Sequence, residues 1–595
     1  MDSEQLQKMR ISGVWLRYIG GALTSIAKSH SHKLFSLRLV PPLTLLLLLG
    51  PVLAGLFGTT LPAFGYLPAL GSDRFDLEPW QRLFEAPGVW TSVRLSFCSG
   101  FLTTALSLAI VVGFCAGWHA TRLFSGMQRI LSPLLSVPHV TVAFGLAFLL
   151  APSGWIVRLL SPWATGLERP PDWLTVQDPT GLSLVLGLVV KEVPFLLLMT
   201  LAALNQTDAA RARTLARTLG YGPFVAWLKA VFPQVYPQLR LPVFAVLAYS
   251  ASVVDVALVL APTTPPPLAV QLLRWFNDPD LNQRFVASAG ALVQLLLVVA
   301  LIGLWCLMEQ TLKRLGRAWI RSGGRGRDDT VVRCLVALPL SFCSMLTTLA
   351  LAGMVVWSLA DYWHYPNALP QRIGLTNWER YATVVVRPLW HTVAVGLASA
   401  LTALLLTLGC LEHEARFGRR PSNRALWLLY LPLLVPQVAF LFGVQVLLIA
   451  AGLDGLWLAL LWNHLVFVLP YVFLSLADPY RVWDERYSRT ALCLGASPNR
   501  VWLRIKLPML LRPILIALAV GFAVSVGQYL PTLFASGGRY PTLITEAVTL
   551  AAGGDRRIIG VYALLQMVTP FIVFSLALLI PAWLYRDRRG LQVSQ

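Results

Sequence analysis

Ala209-Ala-Arg-Ala-Arg-Thr-Leu-Ala-Arg-Thr-Leu-Gly-Tyr-Gly-Pro-Phe-Val-Ala-Trp-Leu-Lys-Ala-Val-Phe-Pro233 and Arg486-Tyr-Ser-Arg-Thr-Ala-Leu-Cys-Leu-Gly-Ala-Ser-Pro-Asn-Arg-Val-Trp-Leu-Arg-Ile-Lys-Leu-Pro508 follow one plan. Leu-Gly, a proline, Trp-Leu and a closing proline recur in both at the same spacing. Each stretch reads as a helix, a break and a second helix. Gly220 and Gly495 can take the left-handed conformation that ends a first helix. Pro223 and Pro498 suit the first position of the next, with Gly222 or Ser497 as its N-cap. Trp227 and Trp502, beside Leu228 and Leu503, give the second helix an apolar face, and Pro233 and Pro508 mark its end. A short helix with such a face needs something to bury it against. Two amphipathic helices on lipid headgroups are the bland alternative; matched recurrence favours a protein partner.

Both stretches lie between long apolar segments. Of 595 residues, 56% are hydrophobic and only 13% charged, with a mean hydropathy of +0.66, which is too apolar for a water-solvated surface. Twelve stretches are long enough to cross roughly 30 Å of hydrocarbon: 36–58, 92–115, 130–151, 181–204, 237–262, 285–308, 334–358, 390–410, 425–452, 454–476, 510–535 and 560–584. With the N-terminus inside, most of the 48 Lys and Arg fall on inner segments, and Lys191 sits mid-span. That positive-inside pattern accounts for the net charge of +20 without a nucleic-acid partner and puts both termini in the cytoplasm. The basic segment before residue 36 is too long for an ordinary signal peptide, so the first span reads as a retained signal-anchor. None of the seven cysteines falls in an outer loop, so no disulfide framework is expected.

The repetition extends beyond the loops. Val137-Pro-His-Val-Thr-Val-Ala-Phe-Gly145 matches Val435-Pro-Gln-Val-Ala-Phe-Leu-Phe-Gly443, and Trp90-Thr-Ser-Val93 matches Trp390-His-Thr-Val393. An extra loop around Ser153–Thr180, rich in Pro and Trp, lengthens the first half. Six spans per half return the chain to the side it started from. The reading is an all-α membrane protein of twelve transmembrane helices in two parallel six-helix repeats. It divides into a cytoplasmic segment 1–35, a first half 36–308 with its paired loop at 205–236, a cytoplasmic linker 309–333, a second half 334–584 with its loop at 478–510, and a cytoplasmic tail 585–595. The linker's Ser322-Gly-Gly-Arg-Gly-Arg327 reads as flexible. No Gly-x-x-x-x-Gly-Lys-Ser/Thr occurs anywhere, so no nucleotide-binding P-loop is expected in this chain.

The paired loops resemble the signature of the integral subunits of ABC importers: Glu-Ala-Ala, three residues, Gly, nine residues, Ile-x-Leu-Pro. Gly495, Ile505, Leu507 and Pro508 stand at that spacing, as do Gly220, Ala230, Phe232 and Pro233. The opening triplet reads Thr214-Leu215-Ala216 and Arg489-Thr490-Ala491, so only its last Ala is kept. The chain looks most similar to the fused permeases of ferric-iron, thiamine and polyamine-type importers and to the YnjC type. The resemblance implies the type I permease fold in a bacterial inner membrane. It also implies coupling to two copies of a cytoplasmic ATP-binding subunit, with ATP and Mg held there and not here, and delivery by an extracytoplasmic solute-binding protein. By that resemblance the coupling residues are Ala216, Gly220, Trp227, Pro233, Ala491, Gly495, Trp502, Ile505, Leu507 and Pro508.

Ionisable groups inside spans are costly and therefore functional candidates. Asp255 stands in the fifth span, where Tyr249-Ser-Ala-Ser-Val-Val-Asp255 matches Ser525-Val-Gly-Gln528-Tyr529. In the family these spans line the translocation path, which nominates Ser252, Asp255, Ser525, Gln528 and Tyr529; a negative Asp255 favours a small cationic substrate such as a thiamine-like compound, a polyamine or ferric iron. The opposing reading makes Asp255 a structural carboxylate, for instance paired with Lys191. Lys191, Glu192, Asn463 and His464 are expected in a structural polar network, with His139 and Gln437 relieving helix bends after Val-Pro. No catalytic nucleophile–base arrangement and no metal-ligand spacing is present, so the chain reads as a transporter subunit and not an enzyme. Two rivals remain. A twelve-helix ion-coupled secondary transporter would leave the paired loops unexplained, and a membrane-embedded enzyme would need acids gathered at one face.

Overall fold

The computed structural model describes residues 37–586 except 135, 327–328 and 419–422. The segment 1–35 and most of the tail 585–595 lie outside the described residues. In chain order the first helices are α1 (Leu37–Ala63), α2 (Val89–Trp118), α3 (His139–Leu160) and α4 (Leu182–Asn205). Next come α5 (Ala209–Thr218), α6 (Phe232–Ser252), α7 (Gln283–Arg321), α8 (Thr330–Leu359) and α9 (Thr376–Phe417). The last are α10 (Gln437–Ala450), α11 (Trp457–Arg481), α12 (Glu485–Cys493), α13 (Leu511–Val526) and α14 (Arg556–Leu584). Among the described residues nine helices are long and apolar enough to cross a membrane; counting two bent pairs as one span each gives eleven.

Several expected spans are broken, for readable reasons. The stretch expected at 425–452 bends by 91° between Leu434 and Gln437. There Pro436 lacks an N–H and disfavours helix at Val435. The stretch expected at 237–262 is α6 followed by the short helix Asp255–Leu260, with an extended Val253 between them. Its counterpart expected at 510–535 is bent by 74° from the preceding Pro498–Met509, stops at Gly527 and resumes as Tyr529–Ser536. Both fifth stretches are thus interrupted at the same place, beside Asp255 and Gln528. Irregular backbone at membrane depth is tolerated only where protein or a water-filled cavity surrounds it. The linker is also more ordered than its glycines suggest: α7 runs helical to Arg321 and α8 begins at Thr330.

The first helix of each chain half lies on the other half. A Cβ on Gly443 of α10 would stand 1.9 Å from the Gly55 carbonyl oxygen of α1, and one on Gly55 would stand 2.3 Å from the Phe440 carbonyl oxygen. The Gly443 N–H donates to Thr59 Oγ1 at 3.1 Å, and Trp462 Nε1 donates to the Leu47 carbonyl at 3.0 Å. On the other side, α8 crosses α3 at Gly145, where a Cβ would meet the Ala350 carbonyl oxygen at 2.8 Å. Gly145 and Gly443 close the repeated Val-Pro motif, so that motif marks the two sites where a partner backbone comes close. Without a hydrophobic drive between helices in lipid, such small-residue contacts carry much of the association.

The end of α3 is pinned to the segment after α8. Arg158 Nη1 donates to the His364 carbonyl at 2.9 Å and Trp155 Nε1 to the Ala368 carbonyl at 3.1 Å. The Arg158 guanidinium also lies over the Trp363 ring, 4.9 Å from its centre.

Gly443→Val should destabilise the chain by roughly 3 kcal/mol, the upper range for forcing atoms into a filled contact, and by more than Gly145→Val. The thermal midpoint of the detergent-solubilised protein is the check. An unchanged midpoint for Gly443→Val would mean that this crossing does not carry the fold.

Candidate functional site

The two paired loops have the same backbone. Gly220 and Gly495 sit at φ +83° and +84°, a region costly for any residue with a Cβ. Each closes the helix before it with two bonds. Gly220 N–H donates to Arg217 O at 2.9 Å and Tyr221 N–H to Ala216 O at 3.2 Å; Gly495 N–H donates to Leu492 O at 3.0 Å and Ala496 N–H to Ala491 O at 3.1 Å. This pair of bonds is the Schellman termination. It gives Ala216 and Ala491, both buried, a defined place in the backbone, because their carbonyls accept the longer bond.

The second helices, beginning at Pro223 and Pro498, do not end at the closing prolines. Each passes into a π turn, Trp227–Val231 and Trp502–Lys506. The Phe232 N–H reaches Trp227 O and the Leu507 N–H reaches Trp502 O, five residues back. The next residue, Pro233 or Pro508, has no N–H to donate, so the α ladder loses a bond there in any case. Pro233 then sits inside the first turn of α6, and in the other loop the chain turns at Leu510, two residues beyond Pro508. Ile505, Leu507 and Pro508 are half-buried and Pro233 is exposed. Ser497 occupies the N-cap position without making a side-chain cap bond.

Trp227 does not present an outward face. It is 1% exposed, inside the core formed with α2 and α4. Trp502 is half-buried and donates from Nε1 to the Tyr480 hydroxyl at 3.1 Å, beside a cavity of about 180 Å³ lined by Glu412, Arg416, Glu485 and Lys506 among others. The most exposed apolar residues of the loops are Leu219, 64% exposed, and Leu494, 83% exposed, each just before its glycine. They stand at matching positions, and the pattern of apolar residues within the second helices could not reveal them. The first loop is tied to the end of α2, where Arg213 Nη1 donates to the His119 carbonyl at 2.9 Å and meets His119 Nδ1 at 3.3 Å. Burial and the Arg213 charge lower the His119 pKa below its ordinary value, which keeps the ring neutral and able to accept.

Within the membrane segments the residues from the two chain halves meet at the interrupted fifth stretches. His139, at the start of α3, contacts Glu192 of α4 through Nε2 and Oε1 at 3.3 Å, and its ring lies 4.9 Å from the Tyr249 ring at a tilt of 57°. Asp255 interacts electrostatically with His139, Tyr249 and Tyr529, and Glu192 with Tyr249 and Tyr471. Two carboxylates, an imidazole and three tyrosines thus converge, with Tyr471 and Tyr529 supplied by the second half. Lys191 is turned away: its ammonium donates to the Leu134 carbonyl at 2.9 Å and to the Val137 carbonyl. His139 does more than relieve a bend, since it contacts the Glu192 carboxylate on another helix.

The other nominated residues lie elsewhere. Ser252 donates to Ala248 O at 2.7 Å within its own helix. Ser525 is buried between His464 Nδ1 at 2.7 Å and Ser399 Oγ at 3.2 Å, while His464 Nε2 meets Thr532 Oγ1 at 2.9 Å. Gln528 is buried, and its carbonyl accepts from Thr532 Oγ1 at 2.5 Å. Among the described residues no group of three or more His, Cys, Asp or Glu could hold a metal ion.

No protein-family model matches the chain. The inner membrane ABC transporter permease protein YnjC of Escherichia coli (strain K12) is 33% identical over 555 residues, covering 92% of this chain and 98% of that protein. The thiamine transport system permease protein ThiP of the same organism is 25% identical over 483 residues, 76% of this chain and 82% of ThiP. The spermidine/putrescine transport system permease protein PotC of Haemophilus influenzae is 26% identical over 221 residues, 35% of this chain and 83% of PotC. With a relative one third identical and aligned almost end to end, this chain belongs to the ABC transporter permease family.

Proposed function

We propose that this chain is the fused permease subunit of a binding-protein-dependent ABC importer in a bacterial inner membrane. In this reading twelve spans form two parallel six-helix repeats of the type I permease fold, residues 36–308 and 334–584, with both termini cytoplasmic. The loops 205–236 and 478–510 each seat a cytoplasmic ATP-binding subunit, two copies in all, and a solute-binding protein delivers substrate from outside. ATP and Mg act on the partner, and this chain is not itself an enzyme. Closure of the ATP-binding subunits moves the loops, and the two halves rock about the seam between them. The observation that supports this most strongly is the shared backbone of the loops: a left-handed glycine, a proline-started helix and a π turn before a second proline, twice over. A leucine stands bare beside each glycine.

The seam favours a small organic cation as substrate. Asp255 and Glu192 supply negative charge, and the faces of Tyr249, Tyr471 and Tyr529 suit a positively charged amine or ring. A ferric ion fits less well, because no group of His, Cys, Asp and Glu among the described residues is arranged to hold a metal. The relatives named for thiamine and for spermidine/putrescine carry substrates of this charge type.

Two outcomes are expected. Leu219→Glu with Leu494→Glu should abolish co-purification of the ATP-binding subunit while leaving the melting midpoint unchanged, since both side chains are exposed. Gly220→Asp with Gly495→Asp should uncouple ATP hydrolysis from uptake in lipid. If uptake survives both pairs and runs on an ion gradient, the chain is an ion-coupled secondary transporter instead. Separately, Asp255→Asn and Glu192→Gln should each lower uptake of the cation at least about tenfold, equivalent to about 1.4 kcal/mol, with the ATP-binding subunit still bound. Undiminished uptake by both variants would remove the cluster from the path.

A further inference from the structure

The two loops share a backbone but not a neighbour. In the first, the segment leaving α7 folds back over the coupling helix. Gly222 N–H donates to Arg325 O at 2.9 Å, and Phe224 N–H donates to the Asp329 carboxylate at 2.7 Å. Asp329 thereby caps a helix whose own N-cap position holds a glycine with no side chain to offer. Lys229 reaches back the other way, donating to Trp319 O at 3.0 Å and Gly324 O at 2.9 Å while lying 4.5 Å from the Trp319 ring centre. The Trp319 carbonyl belongs to the last turn of α7, where a helix has acceptors to spare and favours a cation, and Gly324 lies three residues past the helix end. The fit is close: a Cβ on Gly222 would stand 1.9 Å from Gly326 O, and one on Gly326 would stand 2.5 Å from Val225.

Nothing comparable covers the second loop among the described residues. Ser497, Asn499, Arg500 and Arg504, the counterparts of Gly222, Phe224, Val225 and Lys229, are all exposed, whereas Gly222 is buried and the other three half-buried. Asn499 accepts from Arg416 Nη1 at 2.9 Å through its side chain, which leaves the backbone of the helix start untouched. Ser497 makes no cap bond and no carboxylate from elsewhere takes its place.

We propose that Trp319–Gly326 and Asp329 form part of the first docking face. They clamp the first coupling helix in its docking shape, so that one ATP-binding subunit meets a pre-ordered surface of loop and linker and the other meets a loop whose helix start no described segment caps, with the Tyr585 hydroxyl donating to Pro508 O at its far end. Asp329 is a positioning residue in this scheme: it acts through the Phe224 N–H and touches no substrate. The docking half of the inference rests on the importer reading. The clamp itself does not.

Amide exchange on the full chain in lipid nanodiscs tests the clamp without any partner. Amides of residues 224–232 should exchange at least about fivefold slower than those of 499–507, the factor expected for one lost helix cap. Asp329→Ala should erase that difference, and Asp329→Asn, which keeps a capping oxygen, should preserve it. Equal exchange in the wild type, or an Asp329→Ala chain that exchanges like wild type, overturns the clamp. Docking is then read with the ATP-binding subunit that co-purifies with the wild type. Asp329→Ala should retain about one copy per chain where the wild type retains two, with Asp329→Asn restoring the second. Two copies held by Asp329→Ala at wild-type salt resistance would overturn the docking role while leaving the importer reading intact. A wild type that binds no ATP-binding subunit would defeat the importer reading and the docking role together, with the exchange result still standing for the clamp.

Discussion

Backbone contact at two glycines governs the arrangement of this molecule. Where α1 crosses α10, Gly55 and Gly443 face each other with no room for a methyl group; where α8 crosses α3, Gly145 lies under the Ala350 carbonyl. Each contact fastens the opening helix of one chain half onto the other half. In lipid, water expulsion does not hold helices together, and close van der Waals approach has to do so instead. The seam between the halves therefore need not be sealed by its own apolar packing alone. It can hold carboxylates, tyrosines and interrupted helices, because the exchanged helices keep the halves from parting. The stack of Phe276 on Phe442, with centroids 4.1 Å apart, adds an aromatic bridge across the same seam.

The coupling loops show a second economy of backbone bonding. A proline subtracts a donor at a fixed point, and in both loops the helix widens into a π turn immediately before that point. The wider turn shifts the register by one residue. Upstream, the Schellman bonds close the first helix on the carbonyl of the one alanine that both loops keep. Alanine suits that position because its side chain is buried there and needs little space. Each retained residue of the motif thus has a bond or a contact behind it. The missing acidic residue of the motif coincides with carboxylates supplied from elsewhere: Asp329 at the first loop, and at the second Glu412, whose carboxylate meets Lys506 at 3.6 Å.

Features carried by local backbone rules were legible in the sequence: the apolar spans, the left-handed glycines and the helix starts at Pro223 and Pro498. Features carried by distant partners were not. Periodicity marked Trp227 and Trp502 as apolar and favoured another protein as their cover, yet the chain's own core takes up Trp227, and Trp502 is half-buried against Tyr480. Spacing paired Ser252 with Ser525, yet His464 makes Ser525 part of a buried hydrogen-bonded chain, while Ser252 donates within its own helix. The linker's glycines read as slack, and the structure uses them for close fit against Gly222 and Val225. The breaks in both fifth stretches had no signal beyond Gly527, since Val253 and Val254 are ordinary membrane residues. The contact of His139 with Glu192 was hidden too, because its partner is on another helix.

Fusion of two halves into one polypeptide explains why such asymmetry can build up. A homodimer repeats every residue about its axis, so a carboxylate in one half forces a carboxylate in the other, and like charges meet at the seam. Here the counterpart of Asp255 is Gln528, and Glu192, two residues before Pro194, corresponds to the apolar Val468 before Pro470. The negative charge is concentrated on one wall and the aromatic surface is shared. On the proposed reading, a cation crossing the seam would move between a charged wall and a polar one, attracted without being trapped between four acids. The same freedom acts at the paired loops, where the linker caps one helix start and no described segment caps the other. Divergence of the halves is constrained only where they touch by backbone, which is where the repeated glycines stand.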